Sequence, residues 1–323
     1  MATPATVQKT IKRATASNLT PAVKRMIDCY ENENAGVKAN LVRLMNTGTL
    51  AGTGKMVILP VDQGFEHGPA RSFSINPEAY DPHYHYQLAI DSGCNAYAAP
   101  LGPLQAGADT FAGQIPTILK YNSSNSLASK NGDGNQAVTA SIKDALQLGC
   151  TAVGFTIYPG SDNQFEMFEE VREMIREAKD VGIPSVVWSY ARGAGLSKDG
   201  ETAVDVISYA AHMACLLGAH VVKIKLPTDF IEQKEAKKAF EDGKIDISTQ
   251  SARVREVVRS CFNGRRLVVF SGGATKGEDA VFTDAKDIRD GGGNGSIIGR
   301  NAFQRPNADA RKMLGKIMDI YKG

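Results

Sequence analysis

The stretch Val221-Val222-Lys223-Ile224-Lys225-Leu226-Pro227 decides how this chain is read. It has the β-branched character of a buried strand, yet carries two lysines two positions apart. In a strand, residues i and i+2 share a face, so Val221, Lys223 and Lys225 point one way and Val222 and Ile224 the other. Two ammonium groups on one half-buried face repel each other and are costly to desolvate. Both effects favour the neutral amine. A lysine tuned in this way attacks a ketone and forms a Schiff base. The same pattern also serves a strand end whose lysines reach solvent or bind a phosphate, so the segment alone leaves both readings open.

Seven further runs of the same kind surround it: Met56–Asp62, Asn95–Pro100, Thr117–Asn122, Ala152–Tyr158, Ser185–Tyr190, Leu267–Gly272 and Ser296–Asn301. Most are apolar on both faces, as parallel strands covered by helices are. Helical patterns lie between them, such as Gln164–Val181, with Phe165, Phe168, Val171, Ile175 and Ala178 at near-helical spacing, and Thr202–Leu217. Eight strand–helix alternations predict a (β/α)8 barrel rather than an open doubly wound sheet. Asp62, Asn122, Tyr158, Tyr190, Lys223, Ser271 and Arg300 fall at or near strand C-terminal ends. In a barrel these ends converge on one mouth. Residues 1–55 read as a helical extension packed on the barrel, with Pro21–Met45 helical, and 56–323 as the barrel itself. The charged stretch Pro227–Gln250 reads as an excursion within the sixth strand–helix unit.

Composition narrows the class. The 323 residues carry 37 basic and 35 acidic side chains, a net charge of +2, with no long run of one sign. That argues against nucleic acid or an anionic membrane as the main partner. Five scattered cysteines form no Cys-x-x-Cys pair, which fits a reducing cytoplasm better than a disulfide framework. Met1–Ser17 lacks the apolar core of a signal peptide, and no apolar run is long enough to cross a bilayer.

Several segments carry chemistry. Ser271-Gly272-Gly273 follows the seventh run and Gly299-Arg300-Asn301 closes the eighth. Glycines after strands seven and eight let backbone N–H groups approach a phosphate, and Arg300 adds a charge with bidentate geometry. Trp188 and Tyr190 share a face at the end of the fifth run, followed by Arg192. A tyrosine beside a lysine-rich strand is read as having a lowered pKa and serving as acid or base. Asp62 stands on the face of Ile58 and Pro60, able to pair with a lysine, orient a hydroxyl or cap a helix; His67 follows in its loop as a phosphate donor. Other motifs fail. Gly52–Lys55 lacks the first glycine of a phosphate loop, and His83-Tyr84-His85 has metal-like spacing without a supporting ligand set. No metal and no cofactor is expected.

Jointly, these pieces resemble the archaeal-type class I fructose-bisphosphate aldolases, in the longer bacterial branch. The matching segments are Leu59–Pro69, Gly154–Ser161, Val187–Tyr190, Val222–Lys225, Ser271–Gly273 and Gly299–Asn301, in family order over about residues 56–305. The resemblance implies a (β/α)8 barrel with Lys223 as the Schiff-base lysine, Tyr190 as the proton-transfer residue, Trp188 as a shaping neighbour and Asp62 as a substrate-hydroxyl partner. It implies that Ser271, Gly272, Gly273, Gly299 and Arg300 hold the 1-phosphate, with His67 and Arg192 as candidates for the distal one and Lys225 as a further substrate-binding residue. It further implies reversible cleavage of fructose 1,6-bisphosphate in glycolysis and gluconeogenesis, and a homo-oligomer, octamer or decamer. Gln63 stands where many members have His, and Ala191 where many have Pro. Two alternatives remain: a sister Schiff-base aldolase, transaldolase or thiolase on another phosphorylated ketose, and a non-catalytic sugar-phosphate-binding protein.

Overall fold

Eight parallel strands close into a barrel in a computed structural model that describes residues 19–127, 134–273 and 276–323. The strands are Met56–Pro60, Ala96–Ala99, Thr117–Lys120, Ala152–Ile157, Ser185–Ser189, Val221–Ile224, Leu267–Ser271 and Gly295–Ile297. Each pairs with its neighbours in sequence order, and the first closes on the eighth through Met56–Gly295 and Ile58–Ile297. All eight predicted runs are found, each shortened at its C-terminal end, where the chain turns out of the ladder. The open sheet is thereby excluded. In the last run the strand stops at Ile297 and a one-turn helix, Arg300–Phe303, takes its end. A two-stranded ribbon, Asn122–Ser123 with Ala137–Val138, stands beside the barrel.

Period-two alternation sorts the strand residues into two apolar clusters. Val57, Leu59, Val153, Phe155, Val187, Val222, Val268 and Phe270 face outward under the helices. Met56, Ile58, Ala96, Ala98, Ile118, Ala152, Val186, Trp188, Val221, Leu267, Val269 and Ile297 fill the inside. Helix Gln164–Asp180 packs with Met167, Val171, Ile175 and Ala178 buried, but Phe165 is 71% exposed, so the predicted apolar stripe begins at Phe168. Helix Val204–Leu216 starts two residues later than predicted, after a 3-10 turn at Gly200–Thr202. The excursion after the sixth strand holds helix Lys234–Asp242, without a buried residue, before helix Gln250–Ser260 resumes the ring.

Ahead of the barrel, the predicted Pro21–Met45 helix is two helices, Pro21–Asp28 and Ala35–Met45. Thr20 caps the first, with proline at its first turn, and Asn34 caps the second by accepting from the Val37 N–H at 2.9 Å. Val23, Tyr30, Val37, Leu41, Leu44 and Met45 are buried in the same cluster as the barrel interior. They close its N-terminal end. Buried polar groups anchor them: the Tyr30 hydroxyl donates to the His220 carbonyl at 2.5 Å and accepts from the Leu267 N–H at 3.1 Å. Asn95 donates to the carbonyls of Leu44 and Thr47 at 3.0 and 2.8 Å. The expectations for residues 1–18 lie outside the described residues. Among the described residues, no helix is long and apolar enough to cross a membrane.

Candidate active site

A cavity of about 410 Å³ opens at the C-terminal mouth of the barrel. Its walls include Asp62, Glu66, His67, Tyr190, Arg192, Lys223, Lys225, Ser271, Gly272, Gly273, Lys276, Gly299 and Arg300. Every sequence-predicted site residue lines it except Trp188, which forms the layer beneath.

Lys223 is the floor. Its strand places it on the inner face above Val221, in register with Trp188 of the fifth strand and Val269 of the seventh. It is 5% exposed. Its Nζ stands 5.3 Å from the Trp188 ring centroid and 5.6 Å from that of Tyr190. Burial pushes its pKa down to about 8, against the pull of Asp62 and Glu66 and with the help of Lys120 and Arg300. The predicted effect is present, but its like-charged source differs. Lys225 lies past the strand end, where its ammonium pairs with Glu201 at 3.4 Å and faces Tyr190 at 5.9 Å. The buried lysine acting on Lys223 is Lys120, at the end of the third strand.

Tyr190 corrects a second expectation. Burial raises its pKa well above the usual phenol value, with Asp62 and Glu66 adding to the rise. The phenol therefore holds its proton and is an acid and hydrogen-bond donor at neutral pH. Asp62 is 7% exposed and sits at the start of the short helix Gln63–His67 without making a side-chain cap bond, so the capping reading fails and the carboxylate faces the cavity. Glu66, one turn on, was not anticipated. Burial and the Asp62 charge raise its pKa to about 7. Its side chain lies 3.7 Å from His67, whose own pKa is lowered by burial and by Arg300 and Arg71. His67 is thus a neutral donor at physiological pH.

Trp188 owes its position to a glycine. Gly154, in the fourth strand, has no side chain where a Cβ would fall 2.2 Å from the indole, and the ring fills the inner space so vacated. Gly154→Ala should therefore destabilise the protein by about 1–3 kcal/mol through overpacking. It should also change the emission of the single tryptophan. Denaturant unfolding followed by fluorescence checks both; an unmoved midpoint with native emission would mean that the indole has other room.

After the seventh and eighth strands the glycines shape an anion cradle. Gly273 has φ +68°, and a Cβ on Gly299 would meet the Pro60 carbonyl at 2.9 Å. Asn301 ties the two loops, donating to the Gly272 carbonyl at 3.0 Å and accepting from the Lys276 N–H at 2.9 Å. Arg300 and Lys276 bring two cations to this wall, and Lys276 is held by Asp284. The helix starting at Arg300 spans one turn, so charge here comes chiefly from these side chains. Lys276 escaped the sequence reading because only the fold of its loop returns it to the cavity. Arg192 stacks its guanidinium 4.6 Å from the Tyr158 ring centroid at the opposite rim.

Other strand-end residues serve the framework. Asn122 accepts from the Thr156 N–H at 2.7 Å and donates to the Thr156 carbonyl at 2.9 Å; Tyr158 accepts from Gln136 at 2.7 Å. His83 and His85 each contact a backbone carbonyl, Ala106 and Ala79, at 2.9 and 2.8 Å. Among the described residues, no group of three or more His, Cys, Asp or Glu is set to hold a metal ion.

Comparison with known proteins agrees with this geometry. The DeoC/LacD family aldolase profile matches residues 56–305. A probable class 1 fructose-bisphosphate aldolase of Chlamydia muridarum is 35% identical over 304 residues, 90% of this chain and 86% of its own. The class 1 fructose-bisphosphate aldolase of Thermoproteus tenax is 36% identical over 271 residues, 84% of this chain and 90% of its own. An archaeal fructose-1,6-bisphosphate aldolase, with its catalytic lysine covalently bound to the carbinolamine intermediate, superimposes with a TM-score of 0.71 at 32% identity, over 87% of this chain and 98% of that one. A closed eight-stranded barrel with a buried lysine at its mouth, matched over this length, belongs to the DeoC/LacD aldolase family, on the side of its class 1 fructose-bisphosphate aldolases.

Proposed function

We propose that this protein is a class I fructose-bisphosphate aldolase, cleaving fructose 1,6-bisphosphate reversibly to dihydroxyacetone phosphate and glyceraldehyde 3-phosphate. The observation that carries this reading is Lys223: a buried amine with a pKa lowered to about 8, facing a cavity that also holds two carboxylates and an anion cradle.

In the cleavage direction, Ser271, Gly272, Gly273, Gly299 and Arg300 receive the 1-phosphate, with Lys276 beside them. This sets C2 over Lys223. The neutral amine adds to the carbonyl carbon, giving a carbinolamine. Tyr190, a protonated phenol, donates to the departing hydroxyl, and water leaves to form the iminium. Asp62 or Glu66 accepts the C4 hydroxyl proton as the C3–C4 bond breaks. Its electron pair flows into the iminium and makes an enamine. Protonation of the enamine at C3 and hydrolysis then release dihydroxyacetone phosphate and restore the amine. His67, Arg192 and Lys225 line the rim where the distal phosphate would lie. Because the iminium is the electron sink, prolonged chelator treatment should leave the rate unchanged; a loss restored by zinc would refute this chemistry.

A substrate panel separates this reading from its runner-up. Fructose 1,6-bisphosphate should be cleaved with a higher kcat/KM than fructose 1-phosphate or longer ketose phosphates. Strong preference for a longer ketose would keep the lysine chemistry and change the substrate. We further infer a cytoplasmic homo-oligomer, octameric or decameric. Five free cysteines support the compartment. An exposed apolar groove containing Phe165 and Tyr209 supports association. Light scattering that gives a monodisperse monomer would overturn the assembly.

A further inference from the structure

We propose that Lys120 is a positioning residue for Lys223: a second buried cation, fixed behind Trp188 on the inner wall, whose charge favours the neutral, nucleophilic form of the Lys223 amine. The inference rests on the reading of Lys223 as the Schiff-base lysine.

The geometry follows from register. Lys120 ends the third strand, on the inner face with Ile118, and pairs with Gly154 of the fourth. Gly154 pairs with Val186 of the fifth, and Trp188 of that strand pairs with Lys223 of the sixth. Four adjacent strands thus carry a lysine, a gap, an indole and a lysine. The indole occupies the gap. Its ring centroid lies 5.8 Å from the Lys120 Nζ and 5.3 Å from the Lys223 Nζ. Lys223 lines the cavity, whereas Lys120, 3% exposed, does not. A substrate carbonyl in the cavity therefore meets Lys223.

Lys120 is also held in place. Its ammonium donates to the Asn122 carbonyl and to Asn122 Oδ1, the latter at 3.2 Å. Asn122 is itself locked onto the Thr156 backbone. Both acceptors are neutral amides, and among the described residues Asp62 and Glu66 act on Lys120 only from beyond ion-pair distance. Burying an ammonium without an ion-pair partner costs several kcal/mol. Burial lowers the Lys120 pKa to about 8, against the pull of Asp62 and Glu66, so at pH 7 the group is still mainly ammonium. A methionine would fill the same space more cheaply, so packing alone does not explain the charge.

The field at Lys223 has named contributors. Asp62 and Glu66, from the loop after the first strand, favour its ammonium form. Lys120 from the third strand and Arg300 after the eighth oppose it. Tyr190 faces it as a protonated phenol, and Lys225 on its own strand is engaged with Glu201. Without Lys120, two carboxylates would face one arginine.

The test is the pH dependence of borohydride trapping with dihydroxyacetone phosphate, using the full chain, with the adduct located by mass spectrometry. Wild type, Lys120→Met and Lys120→Arg are compared. The wild-type adduct should lie on Lys223. In Lys120→Met the midpoint of the acid limb should move up by about one pH unit. Trapping at pH 7 then falls about tenfold, while rates converge in alkali. Lys120→Arg, which keeps the charge, should retain the wild-type midpoint. If Lys120→Met does not fold, Lys120→Gln makes the same measurement. A uniform loss at every pH would assign Lys120 to structure alone, and an unmoved midpoint or an adduct on Lys120 would overturn the proposal. No adduct on Lys223 in the wild type would remove the underlying reading, and the inference with it.

Discussion

Lys223→Met is expected to abolish cleavage, lowering kcat by on the order of 10⁴-fold or more, because no other cavity-facing amine occupies the floor position. Lys225 and Lys276 also line the cavity, but each is paired with a carboxylate, Glu201 and Asp284. Neither is a substitute. The variant should fold. Removing a buried ammonium and leaving an apolar chain of similar length relieves a desolvation cost, so its Tm should equal or exceed the wild type's. Steady-state cleavage, borohydride trapping and a thermal scan on the same preparation check all three. Activity within tenfold of wild type would mean that another group is the nucleophile. For the wild type the sign of the pH dependence follows from the lowered pKa of about 8. Between pH 6 and 8 the neutral fraction of Lys223, and the trapping rate with it, should rise about tenfold per unit until it levels near that value.

Tyr190→Phe should lower kcat by about 10²–10⁴-fold while leaving KM little changed. The phenol ring packs beside Lys223 and Lys225, and phenylalanine keeps that packing, so substrate binding survives. What is lost is the proton given to the departing hydroxyl. The carbinolamine should then persist, and borohydride, which reduces the iminium, should label Lys223 more slowly. Intact-mass measurement after mixing with substrate, with and without borohydride, separates the two adducts. A large rise in KM with unchanged kcat would assign Tyr190 to binding.

The difference between what was legible and what was not follows interaction range. The eight strands were readable because most of the runs are apolar on both faces and alternate with helical patterns. The inward aim of Lys223 was readable because the strand period is two. Asp62, Tyr190, Ser271 and Arg300 followed from falling at strand ends. By contrast, the like-charged neighbour of Lys223 was misread as Lys225. Along the chain Lys225 is two residues away, whereas Lys120 approaches only when the third strand and the Trp188 indole come together across the interior. Tyr190 was given the wrong direction because adjacent lysines suggest a stabilised phenolate, while burial and two facing carboxylates win. Glu66 sits on a one-turn helix and Lys276 outside any regular element, and no strand or helix period aims either at the cavity. Phe165 fits the helical stripe yet is 71% exposed, where it lines an apolar groove with Tyr209.

The two helices at the N-terminal end of the barrel have a consequence for synthesis. Tyr30 binds the backbone at His220 and Leu267, 190 and 237 residues further along. A ribosome making roughly 5–20 residues per second needs on the order of ten to fifty seconds to cover that distance. Throughout that time Val23, Leu41, Leu44 and Met45 have no barrel floor to enter, because the strands that line it have not all been made. These two helices emerge before the barrel strands yet are among the last elements to find all their partners, and until the eighth strand closes on the first, the nascent chain presents their apolar faces to solvent or to whatever chaperone shelters them.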